Sequence, residues 1–135
     1  MLSELPDPRD FTNEKKKMLI LEDLEYSMMS KNDKQKLDRL FGYTSTHKFC
    51  TVVLTAQDSF RVPPICRRCT NVFVLWNSPD KDSMATLARK TGLRSKELTS
   101  IFNNFMHRKH DCLVIDLTHP NYRLRKNGYE VLKKK

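Results

Sequence analysis

Four short runs of apolar residues divide the chain, and each is bounded by charged or polar positions. They predict β-strands at residues 18–21, 50–55, 71–76 and 112–117. A short continuous apolar run is typical of a strand that is covered on both faces, as in a parallel sheet between helices. We therefore expect an α/β fold with a mostly parallel sheet flanked by helices.

Helical spacing of apolar residues fills the interval between the first two strands. Asn32 or Asp33 can cap a helix there, because their side chains accept hydrogen bonds from the first helical N–H groups. This helix would carry Leu37 and Phe41 on one face, and Gly42 would end it.

Two further helices are predicted before the fourth strand. Ser78 would be the N-cap of the first, Pro79 its first helical residue and Gly92 its stop. Ser95 would open the second, whose apolar residues repeat at the spacing of one amphipathic face. These apolar residues are Leu98, Ile101, Phe102, Phe105 and Met106.

Proline and glycine residues predict the remaining loops and turns of the chain. The prolines of "RVPPICRR" predict a stiff loop before the third strand. The dipeptide Asn127-Gly128 is a favoured two-residue turn and predicts a C-terminal β-hairpin. We expect one domain at residues 17–132, between a polar arm at residues 1–16 and a basic tail at residues 133–135.

Composition narrows the class of partner. The 135 residues include 25 Lys and Arg against 16 Asp and Glu, a net charge of +9, which favours nucleic acid, nucleotide phosphate or acidic lipid. No apolar run reaches the roughly 20 residues needed to cross a bilayer and no signal peptide is visible, so we expect no membrane partner. The four cysteines are then expected to be reduced, in a cytosolic or nuclear compartment.

An acid pair, Glu22 and Asp23, ends the first predicted strand. Adjacent acids at the carboxyl end of a strand are typical of a Walker B motif, because ligands of open α/β sheets bind at this edge. In such a site Glu22 would hold Mg²⁺, and Asp23 would orient and deprotonate the attacking water. The same pattern also fits a strand that simply ends at the surface.

The second predicted strand also ends in polar residues, Thr55-Ala56-Gln57. Gln57 would lie at the same edge, where it can contact a γ-phosphate or the attacking water. Arg67 and Arg68 stand in the proline-held loop, from which an arginine can reach the phosphate of a neighbouring subunit. An ordinary strand end and a solvated basic loop explain the same residues.

Two cysteines and two histidines form a candidate zinc set. Cys66-x₂-Cys69 would supply one half and His107-x₂-His110 the other. The histidines are closely spaced at the end of an amphipathic helix, which argues against a structural zinc finger. The arginines beside Cys66 are expected to lower the pKa of its thiol.

The C-terminal hairpin is basic. Arg123, Arg125 and Lys126 lie beside Tyr122 and Tyr129, and three lysines end the chain. Such cations can follow a phosphate backbone without reading sequence, so they are candidate nucleic-acid contacts. A tail that only solubilises the protein explains them equally well.

Four segments resemble one family in their order and spacing. They are "LILEDLE", "LDRLFGYTSTHKFCTVVLTAQDSF", "CTNVFVLWNSPDKDSMATLAR" and "CLVIDLTHPNYRLRKNGYEV". Together they resemble the C-terminal half of the viral DNA-packaging ATPases of the FtsK-HerA group of P-loop motors. The resemblance points to the enzymes of Polinton and adintovirus-type elements, relatives of the poxvirus packaging ATPase, and it covers residues 17–132.

This resemblance implies a partial P-loop NTPase fold of the RecA/ASCE-like type and hydrolysis of ATP with Mg²⁺. A homo-oligomeric ring would drive double-stranded DNA into a capsid at the portal vertex, in the host cytoplasm or nucleus or in association with the virion. By position, Glu22 and Asp23 match the Walker B acids, Gln57 the sensor glutamine and Arg67 an arginine of this loop. Cys69 stands where the family usually has asparagine, which makes the cysteine pair accidental.

The chain departs from this family in two respects. The acid pair is Glu-Asp where members have Asp-Asp or Asp-Glu, and no G-x-x-x-x-G-K-[ST] occurs, so the phosphate cradle is missing. Without the P-loop strand, two central strands would expose hydrogen-bonding edges. We therefore expect a fragment, a decayed copy or a split-gene product that pairs with an N-terminal half carrying Walker A, and no activity of this chain alone.

Two rival functions follow from the same residues. One is a non-catalytic basic module that binds DNA or a partner ATPase, which the missing phosphate loop favours. The other is a small zinc-binding nucleic-acid protein built on the cysteine and histidine pairs.

Overall fold

The computed structural model describes residues 4–78, 80–121 and 123–132. The first of its two units ends at Cys69, and the second begins at Thr70. The first unit contains, in order, a 3₁₀ turn (Pro8–Asp10), β1 (Lys17–Glu22), a 3₁₀ turn (Tyr26–Met28), α1 (Lys31–Arg39), a π-turn (Leu40–Thr44), α2 (Ser45–His47), β2 (Cys50–Thr55) and α3 (Pro64–Cys69). The second contains β3 (Val72–Leu75), α4 (Lys81–Thr91), α5 (Ser95–Phe105), β4 (Leu113–Asp116), β5 (Leu124–Lys126) and β6 (Glu130–Val131).

β1 and β2 form a parallel pair, which confirms the first two predicted strands. The register begins with Lys17 opposite Cys50 and ends with Glu22 opposite Thr55. Because the pairing is parallel and unshifted, the carboxyl ends of both strands finish at the same level.

Only one face of this pair is covered within the first unit. Leu19 and Leu21 pack on a core that includes Leu37, whereas the side chains of Met18 and Ile20 are 67% and 56% exposed. The prediction that both faces are covered is therefore wrong for β1. Within the described part of the chain no third strand joins the pair, in line with the expectation of unpaired edges.

α1 starts after Ser30, so the predicted caps Asn32 and Asp33 are wrong. The Ser30 hydroxyl accepts a hydrogen bond from the Asp33 N–H at 3.1 Å and donates one to the Asp33 carboxylate at 2.8 Å. A hydroxyl that accepts and donates in this way fixes the first helical turn. The predicted stop at Gly42 is also wrong, because the chain continues through the π-turn that buries Leu40.

The segment predicted as a proline-held loop contains α3. Pro64 is the first residue of this helix, where its fixed φ and its missing N–H cost nothing. Cys66 is buried in the core of the first unit, so packing of this face stabilises a regular turn where the prolines alone suggested a loop.

The second unit is built on a four-stranded antiparallel sheet in the order β3-β4-β5-β6. The expectation of a mostly parallel sheet is wrong here, because two helices rather than one connect β3 and β4. Leu75 at the end of β3 lies opposite Leu113 at the start of β4, so β4 begins at the end where β3 finishes. The core of this unit lies between the sheet and α4 and α5, and includes Ala88, Leu98, Phe102, Leu113 and Ile115.

α4 is capped by Asp80 and not by Ser78. The Asp80 carboxylate accepts hydrogen bonds from the backbone of Asp82 at 3.0 Å and of Ser83 at 3.2 Å. Ser78 instead accepts a hydrogen bond from the Asp80 N–H, which places it one turn too early to cap the helix. The predicted role of Pro79 lies outside the described residues.

Three local predictions in the second unit are confirmed. Gly92 ends α4 with a φ of 68°, and α5 begins at Ser95. The hairpin of β5 and β6 turns through Asn127 and Gly128, whose φ values are 51° and 84°. Positive φ at both positions matches the right-handed twist of the flanking strands.

The chain is thus a small α/β protein with one parallel strand pair and one antiparallel sheet. Among the described residues no helix is long and apolar enough to span a lipid bilayer.

Candidate functional site

The carboxyl ends of β1 and β2 meet at one edge of the parallel pair. Glu22 lies opposite Thr55, and the Asp23 N–H donates a hydrogen bond to the Thr55 carbonyl at 3.3 Å. The pairing therefore holds for one residue beyond β1, and Asp23 is fixed to the end of β2 before the chain turns away.

Asp23 adopts a left-handed backbone conformation with a φ of 44°. Aspartate is among the few non-glycine residues that tolerate this region, at some conformational cost. The turn directs its carboxylate towards β2, where Gln57 Nε2 donates a hydrogen bond to Asp23 Oδ2 at 3.3 Å. The prediction that the polar ends of both strands share one edge is confirmed by this contact between residues 34 positions apart.

A cleft of about 120 Å³ opens beside this contact. Its lining comprises Asp23, Leu24, Ala56, Gln57 and Arg61. The volume holds about four water molecules. Sites that enclose a whole small-molecule ligand have roughly 300–1,000 Å³, so this cleft suits a few waters or one oxyanion group.

Arg61 is the cleft residue that sequence reasoning missed. Its Nη1 lies 3.3 Å from Glu25 Oε2, and the two side chains are largely exposed. This pair brings a cation to the edge that holds Asp23 and Gln57. The signal was present in the sequence, because Arg61 follows Gln57 by four residues in the same loop.

Glu22, the predicted metal ligand, is exposed and does not line the cleft. Among the described residues no group of three or more His, Cys, Asp and Glu side chains is placed to hold a metal ion. Mg²⁺ in phosphate-transfer sites commonly uses one or two carboxylates and completes its shell with water and phosphate oxygens. The adjacent acids Glu22 and Asp23 fit that donor set, and an all-protein cage does not exist here.

Arg67 has a hydrogen-bond partner within the first unit. Its Nη1 donates a hydrogen bond to the Ser59 carbonyl at 3.1 Å, which links α3 to the loop after β2. Arg68 lies exposed in the last turn of α3. In the first unit, Arg67 therefore positions the loop that carries Arg61, and Arg61 faces the cleft.

The thiol of Cys66 is buried, and burial raises its pKa to about 12. The expectation that the neighbouring arginines lower this pKa is wrong, because desolvation and the nearby Asp38 carboxylate both disfavour the thiolate. A neutral thiol is a poor metal ligand and a poor nucleophile at neutral pH.

Two of the three hairpin cations form ion pairs within the second unit. Arg125 Nη2 lies 3.0 Å from Asp116 Oδ2, and Lys126 Nζ lies 3.1 Å from Asp111 Oδ2. Asp111 is buried, and its hydrogen bonds with the Asn127 side chain, the Arg108 backbone and Lys126 hold its pKa below the usual range.

Asp116 is arranged similarly. Hydrogen bonds from the Thr118 side chain and backbone, and from Arg125, lower its pKa. The charges of Arg125 and Lys126 are thus largely compensated inside the fold. Arg123 lies beside the end of α4, where its Nη2 is 3.3 Å from the position that a Gly92 side chain would occupy. Tyr122 and residues 133–135 lie outside the described residues.

Comparisons with protein-family models, with curated proteins and with solved structures found no match to this chain.

Proposed function

We propose that this chain provides the water-activating part of an ATP-driven motor that packages double-stranded viral DNA, as the C-terminal portion of an FtsK-HerA-like ATPase. The observation that carries the proposal is the contact between Asp23 and Gln57 at the shared edge of a parallel strand pair. Motors of this kind place an acid and a polar sensor on adjacent strands, where they act on one water.

The roles of the residues follow from their positions. Asp23 would accept the proton of the attacking water, and Gln57 would hold that water by its amide. Mg²⁺ would neutralise charge on the phosphates, with Glu22 as its carboxylate ligand. Arg61 would face the anionic group from the same cleft, and Arg67 or Arg68 would act across subunits of the ring.

The volume of the cleft limits which part of a nucleotide this chain can bind by itself. Its 120 Å³ fit the terminal phosphate region and leave no room for a nucleotide base and sugar. The 135 residues also contain no Walker A motif. The proposal therefore includes a second polypeptide segment that carries the phosphate loop and binds beside the parallel pair.

A non-catalytic binding module is the second candidate, and the same small cleft favours it. In that case the acid edge has no function in turnover, and the basic domain holds DNA or a partner ATPase. The two candidates differ in what they predict for a nucleotide.

Binding of a fluorescent ATP analogue with and without Mg²⁺ tests the proposal. We expect Mg²⁺-dependent binding by the wild type through the terminal phosphate, and at least a roughly tenfold loss in Glu22→Gln/Asp23→Asn, because the metal ligand and the carboxylate beside it are removed. The variant Asp10→Asn/Glu14→Gln is the matched control, since it makes the same charge change at exposed positions outside the site. Equal binding by wild type and site variant, or none by wild type, would leave the binding module as the better description.

A further inference from the structure

α4 and α5 are joined by a tight three-residue turn at residues 92–94. Gly92 has a positive φ, its N–H donates to the Arg89 carbonyl at 3.2 Å, and the Leu93 N–H donates to the Ala88 carbonyl at 2.9 Å. These two hydrogen bonds form a Schellman ending, which stops α4 and reverses the chain within one turn. A short turn that includes glycine joins the two helices in both αα-hairpins and helix-turn-helix motifs.

The packing between the two helices matches that pattern. Ala88 of α4 is fully buried, and its small side chain leaves room for α5 to approach. Leu93 of the turn and Leu98 of α5 are buried in the same core, and Ile101 packs against it. The turn is therefore held by an apolar seam, and the outer surface of α5 does not take part in it.

The outer surface of α5 carries a continuous stripe of hydrogen-bonding side chains. They stand at helical spacings i, i+3, i+4, i+7 and i+8, and all are exposed: Lys96, Thr99, Ser100, Asn103 and Asn104. The one acid of α5, Glu97, accepts a hydrogen bond from the Arg94 N–H at 3.1 Å, at the start of the helix. The stripe thus offers amides, hydroxyls and an ammonium group, without a carboxylate.

A cleft of about 560 Å³ lies along this stripe. Its other wall is the start of α4, with Asn77, Ser78 and Lys81. Lys81 and Lys96 therefore stand on both sides of this cleft, and neither forms an ion pair with a described residue. This differs from the hairpin cations Arg125 and Lys126, which are paired with buried acids.

The surrounding segment is basic. Residues 81–105, from the start of α4 to the end of α5, contain five Lys and Arg and two Asp and Glu. Such a charge excess on a helix pair is the electrostatic footprint of a polyanion partner.

We propose that the exposed face of α5 binds double-stranded DNA in the major groove, with the start of α4 beside it. Lys81 and Lys96 would contact phosphates, which set affinity and register. Thr99, Ser100 and Asn103 would reach base edges, where an asparagine amide can pair with adenine. This surface specifies where the DNA partner of the proposed function would bind, and in that respect the inference rests on the proposed function. DNA binding at this surface does not require nucleotide.

The first test is fluorescence anisotropy of the full chain with a labelled random-sequence duplex, without nucleotide and over a series of salt concentrations. In Lys81→Gln/Lys96→Gln we expect roughly tenfold weaker binding and a salt slope that is smaller by about two, because two phosphate contacts are lost. Lys15→Gln/Lys16→Gln is the matched control, with the same charge change at exposed positions N-terminal to β1. We expect this control to bind within about twofold of the wild type.

The second test measures base readout. Asn103→Ala should lose roughly tenfold in preference for a duplex selected from a random pool, while its affinity for random duplex stays unchanged. Circular dichroism of each variant should match the wild type, since the substituted side chains are exposed.

Four results would overturn the proposal: no binding of duplex by the wild type, equal losses in the lysine variant and its control, tighter binding of single-stranded RNA than of duplex DNA, or no preferred duplex in the pool. None of these concerns nucleotide binding, so the nucleotide proposal and the DNA proposal stand or fail separately.

Discussion

The two units of this chain use similar apolar strands in different ways. In the second unit, all four residues of β4 are buried, between β3 and β5 in the sheet and beneath α4 and α5. In the first unit, β1 and β2 form a sheet of only two strands, and β1 presents Met18 and Ile20 to solvent. An isolated pair of strands is marginally stable on its own.

An apolar run in the sequence therefore shows that a strand needs other elements to cover it. It does not show that the same unit supplies those elements. The second unit supplies that covering from its own helices and hairpin. The first unit covers one face and leaves an apolar face and two edges available. This is why the proposed nucleotide site includes a second polypeptide segment, whereas the proposed DNA surface is complete in α4 and α5.

The largest expected effect tests the core of the second unit. Phe102→Ala should lower the free energy of unfolding by about 3–5 kcal/mol, because the side chain is 1% exposed and its removal leaves a cavity. Phe105→Ala on the same helix is the control, since that side chain is 37% exposed and should cost much less. Urea denaturation followed by the fluorescence of Trp76, the one tryptophan of the chain, reports on this unit. Equal losses at both positions would contradict the assigned core face of α5.

The next effect compares the two faces of β1. Leu21→Ala should destabilise the first unit by about 2–4 kcal/mol, because Leu21 is buried against Leu37 and its neighbours. Ile20→Thr should change stability by less than about 0.5 kcal/mol, since it alters the open face and keeps a β-branched side chain. The hydrogen-exchange rates of the β1 amides measure the change in stability in each variant. A large loss from Ile20→Thr would show that this face is covered after all.

Two glycines, one in each unit, should respond in opposite directions. Gly92→Ala should cost about 1 kcal/mol, because φ is 68° and a new side chain meets Arg123 at 3.3 Å. Gly42→Ala should stabilise by about 0.5 kcal/mol, since Gly42 lies in the π-turn and no other atom lies within 4 Å of a new side chain. Thermal unfolding of the two variants beside the wild type gives the sign of each change. Stabilisation by Gly92→Ala would contradict the Schellman ending of α4.

The smallest expected effect is a loss of stability of the second unit at acid pH, which is absent at neutral pH. The pKa values of Asp111 and Asp116 lie below that of an unfolded aspartate, about 3.9. Their contribution is therefore complete above roughly pH 4 and is lost as the pH falls through the folded-state values. Urea midpoints read from Trp76 should be level from neutral pH to about pH 5 and then fall. Asp111→Asn should flatten this decline, and Asp10→Asn, at an exposed position, should retain it.

Local signals in the sequence were enough for several elements. The strands β1 and β2, the stop at Gly92, the start at Ser95 and the turn at Asn127 each depend on neighbouring residues, and each is found where it was predicted. The meeting of Asp23 and Gln57 could also be predicted, because two parallel strands that end in polar residues place them at one edge.

The errors have non-local causes. The direction of β4 depends on the return path through two helices, and the helix at residues 64–69 depends on burial of Cys66. The ion pairs of Asp111 and Asp116 join the end of β4 and its flanking loop to the hairpin, and nothing in either segment alone indicates its partner. Arg61 stands four residues after Gln57, but its ion pair with Glu25 joins residues 36 positions apart and is not indicated by either segment alone.

The register of the parallel pair also determines the order in which the molecule can assemble. Lys17 pairs with Cys50, so the first ladder contact closes a loop of 33 positions, whereas Lys126 and Glu130 close theirs across four. Hairpins form in about 1–10 μs, and pairing across long loops waits on a costlier closure. During synthesis, β1 emerges from the ribosome before β2 does. Its apolar residues are therefore exposed longest during synthesis, and a chaperone or a partner strand would meet β1 first.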